Sequence, residues 1–186
     1  MKKLLALDIG EVCIKLNHNH CLQQMNWAER RDTPPRLLGA ADDLECGRME
    51  EEEFYSLVCR ELNIPDIDEV REWFYSILGD EMPGIADTLT RIKNDWDFVF
   101  LSDISGAHLQ LVAEKLSFFN MAAGGVYSFE VGAKKPAREM YLAFERKFGK
   151  PDLYVDDRAQ NIRAALELGW PARQFTSAED FDRLFI

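Results

Sequence analysis

Three apolar runs, far apart in the chain, each end on an acid or just short of one. Leu4–Leu7 runs into Asp8, Phe98–Leu101 into Ser102-Asp103, and Leu153–Val155 into Asp156-Asp157. A run without polar alternation has no face to turn to water. It fits a strand covered on both sides, the setting of a parallel sheet. Met1–Asp8 is therefore expected to be a buried strand entering a loop, and Val126–Phe129 is a further short candidate. Between these strands the spacing is helical. Ile85, Leu89 and Ile92 mark one helix, and Leu109, Val112 and Leu116 a second. Tyr141, Phe144 and Phe148 mark a helix begun after Pro136. Ile162, Ala165 and Leu166 mark another, stopped by Gly169 and Pro171, and Ser177 with Asp180 forms a capping-box-like start for the last. Strands alternating with helices predict a parallel sheet with helices on both faces.

From about Lys15 to Met82 the rhythm is helical only, and no strand is expected. Phe54, Leu57, Val58 and Leu62 share one helix face; Trp73, Phe74, Ile77 and Leu78 read the same way, with breaks at Pro34, Gly47 and Pro65. This is an insertion of three or four helices. Its acidic start, Glu50–Glu53, reads as an exposed first turn.

At 186 residues the chain suits one domain carrying an insertion, and 12 Phe, 4 Trp and 5 Tyr supply a core. The net charge of −11 argues against nucleic acid or an anionic membrane as the main partner. Cys13, Cys21, Cys46 and Cys59 lack metal or redox spacing and read as free thiols. Neither a leader nor a membrane-length run is seen, so a cytoplasmic protein is expected, with a monomer as the simpler state.

In an open parallel sheet, ligands bind beyond the carboxyl ends of the strands. Asp8, Gly10 and Glu11 follow the first strand, Ser102 and Asp103 the second, Asp156 and Asp157 a later one, and Lys134-Lys135 precede the helix at Pro136. Carboxylates gathered in one small site repel unless a divalent cation lies between them, and hard oxygen donors favour Mg²⁺ with a substrate phosphate. A carboxylate is also a nucleophile able to form an aspartyl-phosphate. The parts are those of a metal-dependent phosphoryl transferase.

The chain resembles the haloacid dehalogenase-like hydrolases, in particular the small bacterial alpha-glucose-1-phosphate phosphatase-like members. The resemblance spans essentially the whole sequence. It rests on four stretches in order: Leu7-Asp8-Ile9-Gly10-Glu11-Val12; Phe100-Leu101-Ser102-Asp103; Gly132-Ala133-Lys134-Lys135-Pro136; and Val155-Asp156-Asp157-Arg158 with Asn161. Glu45-Cys46-Gly47 and the following helix resemble the family's helical cap. The resemblance implies a three-layer Rossmann-like α/β core over 1–15 and 83–186 and a cap over 16–82. It implies Asp8 as nucleophile, with Asp8, the Gly10 carbonyl, Asp157 and, directly or through water, Asp156 as Mg²⁺ contacts. Ser102 and Lys135 become the phosphate grip, and Asn161 supports the fourth loop. The implied activity is hydrolysis of a small phosphorylated metabolite, a sugar phosphate among the candidates. Carbon–halogen hydrolysis on the same fold and non-catalytic binding of a phosphometabolite are the alternatives.

Two positions depart from the commoner family pattern. Gly10 stands where many members carry an acid–base aspartate, which leaves the proton donor unassigned; Glu11 is one replacement to weigh. Gly10 is also a place where a left-handed backbone would explain glycine. Asp103 stands where Asn is common; it reads as a helix cap or as a protonated substrate contact. His18 and His20 read as a polar entrance rather than a metal pair, His108 as structural, and Lys134 as a surface lysine. Of Trp73, Phe74 and Tyr75, mostly cap core, one is expected to line the entrance.

Overall fold

The computed structural model describes residues 2–25 and 32–186; Met1 of the expected first strand lies outside them. The chain begins with β1 (Lys3–Leu7), β2 (Ile14–Leu16), α1 (His18–Gln24), α2 (Pro35–Glu45), α3 (Glu51–Leu62), α4 (Ile67–Tyr75) and β3 (Leu78–Glu81). It continues with α5 (Ile85–Ile92), β4 (Trp96–Ser102), α6 (Gly106–Lys115), β5 (Gly125–Tyr127), α7 (Ser128–Val131) and α8 (Arg138–Phe148). It closes with β6 (Leu153–Asp156), α9 (Ala159–Glu167), β7 (Ala172–Gln174) and α10 (Ala178–Arg183). Five strands form one sheet in the order β5-β4-β1-β6-β7, every pair parallel.

The strands are buried on both faces, as their composition requires. Leu5, Leu7, Phe98 and Phe100 pack on one side with Ile85 and Leu89 of α5, Val112 of α6 and Phe181 of α10. Ala6, Val99, Leu101 and Tyr154 pack on the other with Met140, Tyr141 and Phe144 of α8 and Ile162 and Ala165 of α9. Alternate residues of one strand thus serve opposite layers. The four helices α1–α4 follow β2, and Leu37, Leu44, Phe54, Leu57, Val58 and Val70 of α2–α4 form a further buried cluster.

Several expectations need correction. The stretch from Lys15 to Met82 does contain strand: β2 pairs antiparallel with β3 in a two-stranded ribbon. These strands are too short for their pattern to stand out. The helix holding Trp73 and Phe74 stops at Tyr75, so Ile77 lies beyond it and Leu78 begins β3. The strand expected through Phe129 ends at Tyr127, and Ser128 opens a short helix. Leu166 is 51% exposed and does not share the buried face of α9. β7 was invisible because an edge strand of sequence Ala-Arg-Gln carries no apolar run. Ser177 caps α10 as expected, its side chain accepting from the Asp180 N–H. All four cysteines are free. No helix among the described residues is long and apolar enough to cross a membrane.

Candidate active site

Register builds the site. β1 and β6 run parallel with Leu7 beside Val155, so the next residue of each, Asp8 and Asp156, emerge side by side. The Asp8 N–H donates to the Val155 carbonyl at 3.0 Å, which carries the pairing one step past the strand. Lys135 enters from the segment between α7 and α8. Its ammonium lies 2.7 Å from Asp8 Oδ1 and 2.8 Å from Asp156 Oδ2, and it donates to the Leu101 carbonyl at 2.8 Å. All three side chains are buried. A buried charge of this kind persists only when paired and hydrogen-bonded.

Asp156 is the most heavily bonded member. Oδ2 accepts from Lys135, from the Tyr154 hydroxyl and from Asn161 Nδ2; Oδ1 accepts from the Arg158 N–H at 2.8 Å and from Asn161 Nδ2 at 3.0 Å. Burial opposes its ionisation, but Lys135 and these donors outweigh it and hold the carboxyl below its usual range. Asp8 goes the other way. Burial pushes its carboxyl well up, Lys135 opposes this, and Asp156 and Asp103 reinforce it. Burial also works against the Lys135 charge, yet Asp8, Asp156 and Asp103 together raise its pKa.

Asp157 is half-buried, and burial followed by the Asp156 charge raises its pKa. Oxygens of Asp8, Asp156 and Asp157 lie within 4.8 Å of one another. Three carboxylates against one lysine leave a deficit of two charges, which one divalent cation would cancel. The donors are all oxygen, as Mg²⁺ prefers. The residues therefore fit the cation. Because Asp156 is committed to Lys135, Tyr154 and Asn161, the oxygens best placed to hold it are those of Asp8 and Asp157.

Ser102, at the end of β4, is buried and borders a cavity of about 100 Å³. Gly10, Asp103 and His108 border it from the sheet side, and Leu44, Glu45, Phe74 and Ile77 from the helical side. Asp103 does not cap α6. Its Oδ1 accepts the Lys135 N–H at 2.8 Å, while Ser105 is the cap, accepting from the His108 N–H. Burial raises the Asp103 pKa, against the pull of Lys135. Gly10 is not left-handed; that conformation falls on Glu11, at φ 56°. What a side chain at Gly10 would meet is Leu16, with a Cβ 2.9 Å from its Cδ1. Glu11 is engaged by the ribbon: it accepts the Leu16 N–H at 3.0 Å, bracing the start of β2.

Lys134 and Glu51, which sequence reasoning assigned to the surface, join the helices to the sheet layer, and so does His108, which it read as structural. Lys134 is no free surface lysine: it pairs with Asp42 at 2.6 Å and Glu45 at 2.5 Å. Glu51, read as part of an exposed turn, accepts the Ala107 N–H at the start of α6. His108 Nε2–H donates to the Phe74 carbonyl at 2.8 Å. Gly47 is required by close approach, since a Cβ there would lie 2.2 Å from the Phe129 carbonyl oxygen. Phe74 is the aromatic residue that lines the cavity. His18 and His20 border a surface depression with Asn17 and Ser76, and neither belongs to the candidate metal cluster found among the described residues. Tyr154 was missed, although a signal existed: two residues before Asp156 in a strand places it on the same face.

No family model and no curated protein matches this sequence. Solved structures do. A HAD family enzyme, BT-2542 of Bacteroides thetaiotaomicron, superposes with a TM-score of 0.87 at 20% identity, covering 100% of this chain and 98% of that one. The same enzyme in complex with magnesium and inorganic phosphate gives 0.85. A predicted HAD-like family hydrolase from Porphyromonas gingivalis gives 0.81 at 21% identity, covering 99% and 98%. The L-2-haloacid dehalogenase of Xanthobacter autotrophicus gives 0.65 at 16% identity, covering 98% and 82%. The whole chain, helical insertion included, has the haloacid dehalogenase-like fold.

Proposed function

We propose that the protein is a Mg²⁺-dependent phosphatase that hydrolyses a small phosphorylated metabolite through an aspartyl-phosphate on Asp8. The observation that carries this reading is the Lys135 ammonium held between Asp8 and Asp156, with Asp157 completing a trio of carboxylates. Among the described residues, the Ile9 N–H and Lys135 both engage Asp8 Oδ1, which leaves Oδ2 to attack phosphorus in line. Lys135 and Ser102 stabilise the charge that develops on the phosphoryl oxygens. Asp8, the Gly10 carbonyl and Asp157, with Asp156 directly or through water, would hold Mg²⁺, which would supply the positive charge needed to admit a phosphate dianion. Water then cleaves the acyl phosphate and restores Asp8. In this reading the segment 16–82 is a cap on a core of 1–15 and 83–186, closing over the site and selecting the substrate. That BT-2542 has been seen with magnesium and inorganic phosphate supports the assignment.

The structural likeness to L-2-haloacid dehalogenases keeps carbon–halogen hydrolysis as a second reading. The carboxylate trio favours the first, because a halide leaving group gives no reason for a cation-binding cluster. Phosphate release and halide release, measured side by side with and without chelator, test the two. Phosphate release abolished by chelator is the expected result; halide release that ignores chelator would overturn it.

A further inference from the structure

A larger space adjoins the cavity beside Ser102. A chamber of about 330 Å³ lies among α1–α4 and shares His18, Ala41, Glu45, Phe74 and Ile77 with the wall of the smaller cavity. Beyond these it is bounded mainly by apolar side chains, Leu22, Leu38 and Val58 among them. Phe74 packs edge-on to Phe54 with ring centroids 4.6 Å apart. Among the described lining residues, the polar side chains are His18, Asn19, Thr33 and Glu45. A hexose placed here would set several hydroxyls against apolar walls, and unpaired buried hydroxyls are costly. A cavity of about 150 Å³ holds a benzene ring, so this chamber has room for a two-ring group.

Gly10 points the same way by separate reasoning. No carboxylate stands there to protonate a leaving oxygen, and Glu11 is engaged with the Leu16 N–H. A phenol has a pKa of about 10, far below that of water or a simple alcohol, so a phenolate departs without an acid.

We propose that the chamber receives an aromatic leaving group and that the substrates are phosphate monoesters of phenol-type alcohols. The inference rests on the phosphatase reading. Asp8 Oδ2 forms a bond to phosphorus as the phosphorus–aryl oxygen bond breaks; the phenolate leaves with the electron pair and takes its proton from water. A second water then attacks phosphorus, breaks the acyl phosphate bond, and releases orthophosphate and the Asp8 carboxylate.

The test is kcat/KM of the full-length protein with Mg²⁺ on 2-naphthyl phosphate, phenyl phosphate, glucose 1-phosphate and glucose 6-phosphate. The two aryl esters have leaving groups of similar basicity, so their ratio reads the chamber. Naphthyl is expected to exceed phenyl by about tenfold, and both to exceed the sugar esters. Leu38→Trp and Ala41→Leu, which fill the chamber from two positions, should each bring the naphthyl-to-phenyl ratio toward one. Equal aryl esters, a faster sugar ester, or a ratio untouched in folded variants would overturn the proposal. Should none of the four esters turn over, the phosphatase reading fails, and the chamber is judged by binding. Then 2-naphthyl phosphate must bind more tightly than phenyl phosphate, and lose that advantage in Leu38→Trp; equal binding overturns it.

Discussion

The cavity has a floor and a roof built on different physics. The floor is the sheet edge, where Asp8, Ser102, Lys135 and Asp156 are buried and tied to β1, β4 and β6 by backbone and charge-assisted bonds. The roof is α1–α4, apolar on its inner side, with polar bonds to the sheet layer including Lys134 to Asp42 and Glu45, Glu51 to the Ala107 N–H, and His108 to the Phe74 carbonyl. Charges at a fixed register tolerate little displacement. Apolar walls tolerate repacking. On the proposed reading the floor carries the chemistry and the roof the selectivity, so substitutions in the two should fail in different ways.

The floor should break first and hardest. Asp8→Asn is expected to lower kcat by more than about 10³-fold with a normal melting curve, because an amide nitrogen does not attack phosphorus. Activity near that of the unaltered protein would remove Asp8 as nucleophile. Lys135→Met should harm folding as well as catalysis. It strands two buried carboxylates, a loss of about 3–5 kcal/mol by urea unfolding. A stability change under about 1 kcal/mol would mean that the carboxylates had simply taken up protons.

Asp157→Ala sharpens the division within the floor. It should raise the Mg²⁺ concentration for half-maximal activity at least about 10-fold while leaving stability nearly unchanged, since Asp157 is only half-buried. An unchanged Mg²⁺ titration would place the cation elsewhere.

The seam between floor and roof should respond to pH. Burial lowers the His108 pKa, more than Glu45 and Glu51 restore it. The folded imidazole therefore refuses a proton that the unfolded chain accepts near 6.5, so stability is full above that pH and declines as pH falls below it. His108→Gln keeps a donor for Phe74 but cannot titrate. Its melting temperature should fall less steeply below pH 6.5, with a change of about 1 kcal/mol at neutral pH. Parallel pH curves for the two proteins would exclude His108.

The smallest effect is expected at Gly10. Its backbone is not left-handed, and a Cβ meets only the end of the Leu16 side chain. Gly10→Ala should cost about 1 kcal/mol. A loss several times larger would show that Leu16 cannot move and that the ribbon is stiffer than its two short strands imply.

How much was legible differs between floor and roof for the same reason. Leu4–Leu7, Phe98–Leu101 and Leu153–Val155 are buried on both faces, so their apolar runs announce strands, and the residue following a strand is placed by the strand. That is why Asp8, Ser102 and Asp156 could be proposed from sequence and then be found at one sheet edge, whereas the role of Lys135, between two helices, was legible only through the family resemblance. β7 and the β2–β3 ribbon left no such mark: three or four residues at an edge satisfy backbone bonds without an apolar signature. Lys134 and Glu51 looked like surface groups because their partners lie 92 and 56 residues away.

The sequence by itself determined the parallel sheet, the helices of its two faces, and the acids delivered to one edge, because periodicity and burial are local properties of a chain. Only the tertiary structure decided that Asp156 is spent on holding Lys135, that Ser105 rather than Asp103 caps α6, that Glu11 carries the left-handed turn beside Gly10, and that four helices line a largely apolar chamber. Those outcomes depend on which distant groups compete for the same lone pair or the same space. Such competition is settled by packing in three dimensions and leaves no periodicity along the chain.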